Sequence, residues 1–548
     1  MDPSQPSCSG RSSGRASNMD ENDSDGSIDP LQRIVNNTSE SSSDEDTSED
    51  EADIEVVCPT WSIHTGGLRR IEFARVDSLL VPIPGTGSPI DFFNLLLDDI
   101  FLQNICKLSN SYAFNDVYAR PNLTPRSRIN AWKDLTVPEL KTFLGVLIHT
   151  GTIKMNRVQD YWKTDYLFNL KCFSSFMSRD RFLSILRCLH FSRPSGNDTD
   201  HDNPTEKIKF VVEYFNNKMK SVYYPQKELS LDEAMVLWRG RLHSSQYIQG
   251  KRHKYGVKLY TLTEHQGFIL KFLLYSGRSD NVVGGKGHTE KVVLNLLKDY
   301  LGHGHSVYTD NCYNSYALAS KLLSQNTYCT GTLRSDRKFI PKEVSSKSLK
   351  KGETIARYAN GVMIGKWRDK RTVLYISTEH DNQLVDCTDK RGRSKQKPLP
   401  IVKYNAHMSG VDRADQMMSY HPCERKTIRW YKKIFIHVIM MIMTNSHLLY
   451  NTHNKKMNLY DFRLEVIKSL LPPPLVESPA QKRKRNEAHK LVKIAERDHN
   501  NRTKRKKCRQ CTNDGKHGVK TTFQCESCPD KPGLCMGQCF QAFHDRLV

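Results

Sequence analysis

The succession of side-chain patterns between Glu228 and Ser324 constrains this chain more than any other feature. Leu229, Leu231, Met235 and Leu237 alternate as in a strand, while Lys254–Leu262 and Phe268–Tyr275 read as two more strands joined at Glu264-His265-Gln266-Gly267. Thr289, Val292, Val293, Leu296, Leu297, Tyr300 and Leu301 then fall on a helix that Gly302 stops. Ser306–Thr309 makes a short strand delivering Asp310, and Asn314–Ser324 makes a second helix. Strand, hairpin, helix, strand, helix predicts a mixed α/β sheet with acids at strand ends.

Those acids recur in three clusters: Leu231-Asp232-Glu233, Tyr308-Thr309-Asp310-Asn311 and Gly410-Val411-Asp412-Arg413-Ala414-Asp415-Gln416. A carboxylate at a strand end is held rigidly, and several converging there make an all-oxygen site suited to Mg²⁺ and to phosphoryl transfer. Asp412 and Asp415 are three apart, which on a helix puts both on one face. The bland readings are a turn cap for Asp232, an Asx turn for Asp310, and an ion pair with Arg413 or Arg425 for Asp415. Glu233 is expected to face the opposite side of the sheet if the strand continues. The element order is that of an RNase H-like fold.

Outside this block the texture changes. Residues 1–55 hold fifteen acids and three Arg, a net of −12 that leaves +34 on the other 493 residues of a chain whose formal charge is +22. So basic a body calls for a polyanion, and the chain lacks a run that reads as membrane-spanning, since the apolar stretch Ile434–Met443 is short and interrupted by His437. That favours nucleic acid over lipid. Ser39-Glu40-Ser41-Ser42-Ser43-Asp44-Glu45-Asp46 is low-complexity and acidic, expected to be disordered and suited either to an acid-directed kinase or to mere solubilisation. Residues from Ile90 to Tyr223 read as helical, with a capping box at Thr136-Val137-Pro138-Glu139 ahead of Leu140, Phe143, Leu144 and Leu147. Arg181–His190 and Lys207–Lys218 continue that pattern. Short β-like runs, Arg357–Ile364 and Arg371–Ser377, interrupt the α/β unit; a long apolar helix follows Lys432, and Pro472-Pro473-Pro474 marks a linker.

Six of the fifteen cysteines lie in the last 41 residues. The sequence opens on a polar, acidic stretch without a secretory pattern, so a reducing compartment is expected and the scattered cysteines read as thiols. Cys508-x2-Cys511, Cys525-x2-Cys528, Cys535-x3-Cys539 and His544 have zinc-ligand spacing. Two zinc ions need eight ligands and these are seven, so His517 or an unidentified residue is expected to complete them. Two basic clusters, Lys482-Arg483-Lys484-Arg485 and Arg502-Thr503-Lys504-Arg505-Lys506-Lys507, read as nuclear import signals or DNA backbone contacts.

Ser230-Leu231-Asp232-Glu233, Lys254-Tyr255-Gly256-Val257-Lys258, Tyr308-Thr309-Asp310-Asn311, Gly331-Thr332-Leu333-Arg334, Tyr404-Asn405, Met408 through Gln416 and Arg429-Trp430-Tyr431-Lys432-Lys433 together resemble a piggyBac-type transposase over residues 85–548. The resemblance implies a nuclear enzyme that cuts an element out of double-stranded DNA and rejoins it at TTAA sites, as a homodimer. Its triad would be Asp232, Asp310 and Asp412 with two Mg²⁺, and Asp415 assisting. Arg334, Arg337 and Trp430 would contact DNA, although core packing is the other reading of Trp430. The cysteine-rich end would bind two Zn²⁺ and terminal DNA or a protein. The alternative is a domesticated descendant, a nuclear DNA-binding or chromatin protein without transposition. Ser409 stands where a second Gly is common and Asp336 where Asn is common.

The expected fold class is thus α/β: an RNase H-like catalytic core with a β-rich insertion, a mainly α DNA-binding and dimerisation domain, and a small zinc-binding domain. The expected boundaries are a disordered tail at 1–60, a linker at 61–84, and helical domain at 85–227 and 422–472. The catalytic domain takes 228–333 and 401–421, the β-rich insertion 334–400, the basic linker 473–507 and the zinc finger 508–548.

Overall fold

The computed structural model describes residues 58–545 apart from 66, 75–77, 119–131, 193–204, 278–279, 281, 389–391, 393, 426, 428 and 474–488. The acidic tail, save its last three residues, and the cluster Lys482–Arg485 lie outside the described residues. The chain forms two units, meeting between Pro472 and Pro473 within the proline run.

In the first unit the amphipathic stretches fold into helices Pro89–Leu96 (α1), Asp99–Tyr112 (α2), Val137–Thr152 (α3), Arg179–Cys188 (α4) and Glu206–Val222 (α5). Thr136 caps α3 by accepting the Glu139 N–H, but half of the expected capping box is missing. The Glu139 carboxylate turns instead to Arg181, taking two hydrogen bonds of 2.6 Å that tie α3 to α4. A bidentate guanidinium is the stronger partner for a carboxylate.

The strands are Glu228–Leu237 (β1), Ser245–Tyr247 (β2), Tyr255–Glu264 (β3), Ile269–Leu274 (β4), Ser306–Thr309 (β5), Tyr328–Thr332 (β6), Thr354–Ala359 (β7), Val362–Arg368 (β8) and Thr372–Ser377 (β9). They make one nine-stranded sheet in the order β2-β3-β1-β5-β6-β9-β8-β7, with β4 paired to β3. Only β1, β5 and β6 run parallel to one another. Both β5 and β6 are buried along their whole length, as central parallel strands are. Helices His288–Leu297 (α6) and Tyr316–Ser324 (α7) make the connections.

The β-rich insertion is only partly separate: β9 pairs antiparallel with β6, so β7, β8 and β9 extend the same sheet, while Leu384–Thr388 and Ser394–Pro398 pair with each other as a small hairpin. The run Arg357–Ile364, read from sequence as one strand, contains a turn. Asn360 and Gly361 both adopt positive φ, 50° and 80°, and fold β7 back on β8 as an Asn-Gly hairpin.

Past the sheet come Leu399–His407 (α8), Gly410–Tyr420 (α9), Trp430–His453 (α10) and Leu459–Leu470 (α11). Of the described helices, α10 is the one long and apolar enough to cross a membrane, yet it is largely buried, packing against α1 and α5. A single continuous core joins these helices to the sheet. The second unit consists of short strands and two small helices, Arg509–Asn513 and Gln538–Asp545, around its cysteines.

Candidate active site

Backbone register places the first two aspartates side by side. β1 and β5 pair in parallel through Leu231↔Thr309, so the next residues are Asp232 and Asp310, on strands about 4.8 Å apart. Asp232 is mid-strand rather than at a strand end, because β1 runs on to Leu237, but it stands where β5 ends. Asp310 is tied down: Thr332 Oγ donates to Oδ1 at 2.9 Å and the Asn311 N–H at 2.6 Å. Fully buried Asn314 knots the turn beneath, its amide donating to the carbonyls of Thr309, Asp310 and Thr332.

The third aspartate arrives on α9. This helix begins against the sheet at Gly410, where a Cβ would lie 2.3 Å from Thr263 Oγ and 2.4 Å from the Glu264 carbonyl. Only glycine lets the helix approach this closely. Ser409 is the residue before the helix and fits without strain at φ −77°. Asp412, in the first turn with its side chain 62 % exposed, faces the loop that carries Lys251.

Lys251, on the turn between β2 and β3, is the centre of the cluster. Its Nζ lies 2.8 Å from Asp232 Oδ2 and 3.7 Å from Asp412 Oδ1. Burial, reinforced by Glu233, Asp412 and Asp310, pushes the Asp232 carboxyl well above the usual range against the pull of Lys251. Burial likewise raises Asp310. Asp415 is pushed up to about 6 by burial, with Lys251 and His437 acting the other way.

The ion pair of Asp415 with Arg413 or Arg425 is not what forms. Arg413 binds the His265 carbonyl, and Arg425 binds the carbonyls of Met155 and Thr150.

Glu233 corrects the sequence reading. Instead of facing away, it accepts a 2.9 Å hydrogen bond from Tyr313 and acts electrostatically on Lys251, Asp232 and Asp310. Burial opposes its charge, yet Lys251, Lys258 and its hydrogen bonds hold it down to about 2. Beyond Leu231 the flank of β1 is no longer covered by β5, so a long carboxylate can reach round into the opening. Lys251, Glu233 and Asn314 were all missed from sequence. Lys251 shares a basic run with Arg252, His253 and Lys254, which is the one signal that marks it.

The residues expected to touch DNA have mixed surroundings. Arg334 pairs with Asp336 at 2.8 Å, so the acid that departs from the family pattern neutralises the neighbouring guanidinium. Arg337 donates to the Cys312 carbonyl at 2.6 Å, next to the Asp310 turn. Trp430 is half-buried at the start of α10 against the core and Tyr431, which favours packing. An unexpected aromatic pair, Tyr247 and Tyr255, faces solvent at the ends of β2 and β3, their rings 4.6 Å apart.

In the second unit two sets of four ligand atoms each lie within 4.8 Å of one another: Cys508, Cys511, Cys535 and Cys539; and His489, Cys525, Cys528 and His544. The first set has Cys511 and Cys539 sulfurs 3.5 Å apart, and in the second both Cys525 and Cys528 lie 3.4 Å from His489 Nδ1. Sulfurs at 2.3 Å from a tetrahedral zinc would be about 3.8 Å apart, so the donor sets fit Zn²⁺. His544 donates from Nδ1 to the Phe540 carbonyl, freeing Nε2 as ligand. The eighth ligand is therefore His489 and not His517, which is exposed and belongs to neither set. His489 lies far upstream of the cysteines, where spacing rules do not reach. In chain order the sets interleave, as in a cross-brace.

Comparison with known proteins agrees with this architecture. A family model described as Transposase IS4 matches residues 88–447, and one described as a DDE_Tnp_1-like zinc finger matches 486–545. PiggyBac transposable element-derived protein 3 of Homo sapiens is 26% identical over 496 residues, covering 83% of this chain and 79% of the relative. PiggyBac transposable element-derived protein 5 of Homo sapiens is 22% identical over 413 residues, covering 71% and 76%. The cryo-EM structure of a piggyBac transposase synaptic complex with hairpin DNA shares the fold, with a TM-score of 0.62 at 24% identity over 84% of this chain and 98% of that one. With nearly two thirds of its length matched by the family model, the chain belongs to the Transposase IS4 family, among its piggyBac-like members.

Proposed function

We propose that the protein is a cut-and-paste DNA transposase of piggyBac type, joining its element to TTAA sites in the nucleus as a homodimer. The observation that supports this reading is the ion pairing of Lys251 with both Asp232 and Asp412, together with the Leu231–Thr309 pairing that sets Asp310 on the strand beside Asp232. Carboxylates brought together here would offer oxygen donors to a hard cation, for which Mg²⁺ is the natural choice. Asp232, Asp310 and Asp412 would hold such ions, which when bound would supply charge stabilisation to the oxygens of an in-line phosphoryl displacement.

The chain's own part is positioning. Thr332 and the Asn311 N–H fix the Asp310 rotamer, and Asn314 makes its turn rigid. Gly410 seats Asp412 on the sheet, and Tyr313 holds Glu233 toward the cluster. Asp415, on the same helix face as Asp412, assists from behind. The +34 excess outside the acidic tail supplies the electrostatic attraction for DNA, with Arg337 beside the Asp310 turn and the zinc unit binding terminal DNA.

An excision assay on an element carrying the matching terminal repeats tests this. Wild type is expected to release the element, and Asp310→Ala to lower release by at least about a thousandfold, in keeping with loss of a principal electrostatic contributor to the transition state. Excision that survives Asp310→Ala overturns the triad. DNA binding without excision by wild type would identify a descendant that kept the fold and lost the chemistry.

A further inference from the structure

Lys251 is the one residue of the cluster whose position a cation should want. Its ammonium sits within ion-pair distance of Asp232 and Asp412, which come from elements 180 residues apart in sequence. Its charge also acts on Glu233, Asp310 and Asp415, while its ion pairs are with Asp232 and Asp412. The side chain is 17 % exposed, so its aliphatic stem is packed while the head is directed inward. An exposed lysine in a basic run would ordinarily point to solvent. This one points into the acids.

Its mounting leaves it free to go. Lys251 lies at the tip of the hairpin between β2 and β3, closed by the Ile248 N–H bonding the Lys254 carbonyl at 2.8 Å and by the longer Lys251 N–H to Ile248 contact at 3.4 Å. Four rotatable bonds allow an ammonium to withdraw without moving the backbone. The strands below the tip end in the exposed Tyr247–Tyr255 pair, with Arg252 and Lys254 exposed beside them, so the outward direction leads to a basic, aromatic surface suited to DNA.

We propose that Lys251 is a built-in competitor for the divalent cation: its ammonium holds the acids together in the cation-free protein and must leave as the metal enters. This rests on the reading of the acid cluster as the metal site. Arginine and lysine at this position would both compete, whereas a neutral side chain of similar length would not. The residue positions the acids and sets the threshold for loading.

The test is Mn²⁺ binding, followed by electron paramagnetic resonance on the zinc-loaded full chain without DNA. Lys251→Met is expected to bind Mn²⁺ at least roughly tenfold more tightly than wild type, about 1.4 kcal/mol, and Lys251→Arg to stay near wild type. Equal affinity in wild type and Lys251→Met, with both weakened by Asp310→Asn, overturns the competitor role while leaving the metal site intact. Mn²⁺ binding indifferent to Asp310→Asn overturns the metal site itself. Should Lys251→Met lose its fold without metal, circular dichroism should show it regained on adding Mn²⁺; a chain unfolded in both conditions counts against the proposal.

Discussion

His305 illustrates how far a single buried side chain can reach. It immediately precedes β5, the strand that delivers Asp310, and is fully buried. Its Nδ1–H donates to the Lys227 carbonyl at 3.2 Å, and Tyr224 donates to Nε2 at 2.9 Å, so the ring is held neutral. Burial pushes it down to about 4. The unfolded chain therefore binds the proton first, and the stability it confers is complete above its ordinary value near 6.5 and is lost as pH falls toward 4. Urea unfolding should show about 2 kcal/mol less stability at pH 5 than at pH 7 from this residue, and His305→Gln should flatten that slope. A slope unchanged in the variant would assign the acid sensitivity elsewhere. At this scale the sequence was informative where chemistry repeats in a pattern: Asp232 and Asp310 stood out because each followed a β-like run, and Asp412 because Asp415 stands three residues on. Glu233 and Lys251 did not, since one depends on where a neighbouring strand stops and the other on where a hairpin tip leans.

Among elements, α9 depends most on a single contact. Its first residue, Gly410, touches the Thr263 hydroxyl and the Glu264 carbonyl, and the backbone carbonyl cannot move aside. Gly410→Ala is expected to push the helix start outward, costing about 1–3 kcal/mol in chemical denaturation and carrying Asp412 away from its partners. Excision should fall by more than the loss of stability explains. Full activity in Gly410→Ala would mean that the helix need not approach so closely. Elements with strong periodicity were legible: Ser306–Thr309 is a strand over the residues expected, and Leu140, Phe143, Leu144 and Leu147 are buried in α3, which also buries Val146 and Ile148. The joining of β7, β8 and β9 to the main sheet was not, because pairing of β9 with β6 brings together segments whose local sequence carries no sign of a partner.

The molecule as a whole is two units of different physics. The first has a continuous apolar core; the second has a small apolar cluster around cysteines that offer two four-ligand sets to metal, whose binding would contribute to its folding. Because the two ligand sets interleave along the chain, His489→Ala should disturb both. Native mass spectrometry is expected to find two zinc ions per chain in wild type and fewer than one on average in the variant, while residues 58–472 keep their thermal transition. Retention of one full zinc would show that the sets fold separately.

The acids of the first unit come from three distant stretches, and the last of them rides on a helix that follows every strand of the nine-stranded sheet in chain order. A chain still emerging from the ribosome has made β1 and β5 well before α9, so copies that end between β5 and α9 hold Asp232 and Asp310 without Asp412. In the proposed transposase the full donor set is thereby postponed until about three quarters of the polypeptide has been made.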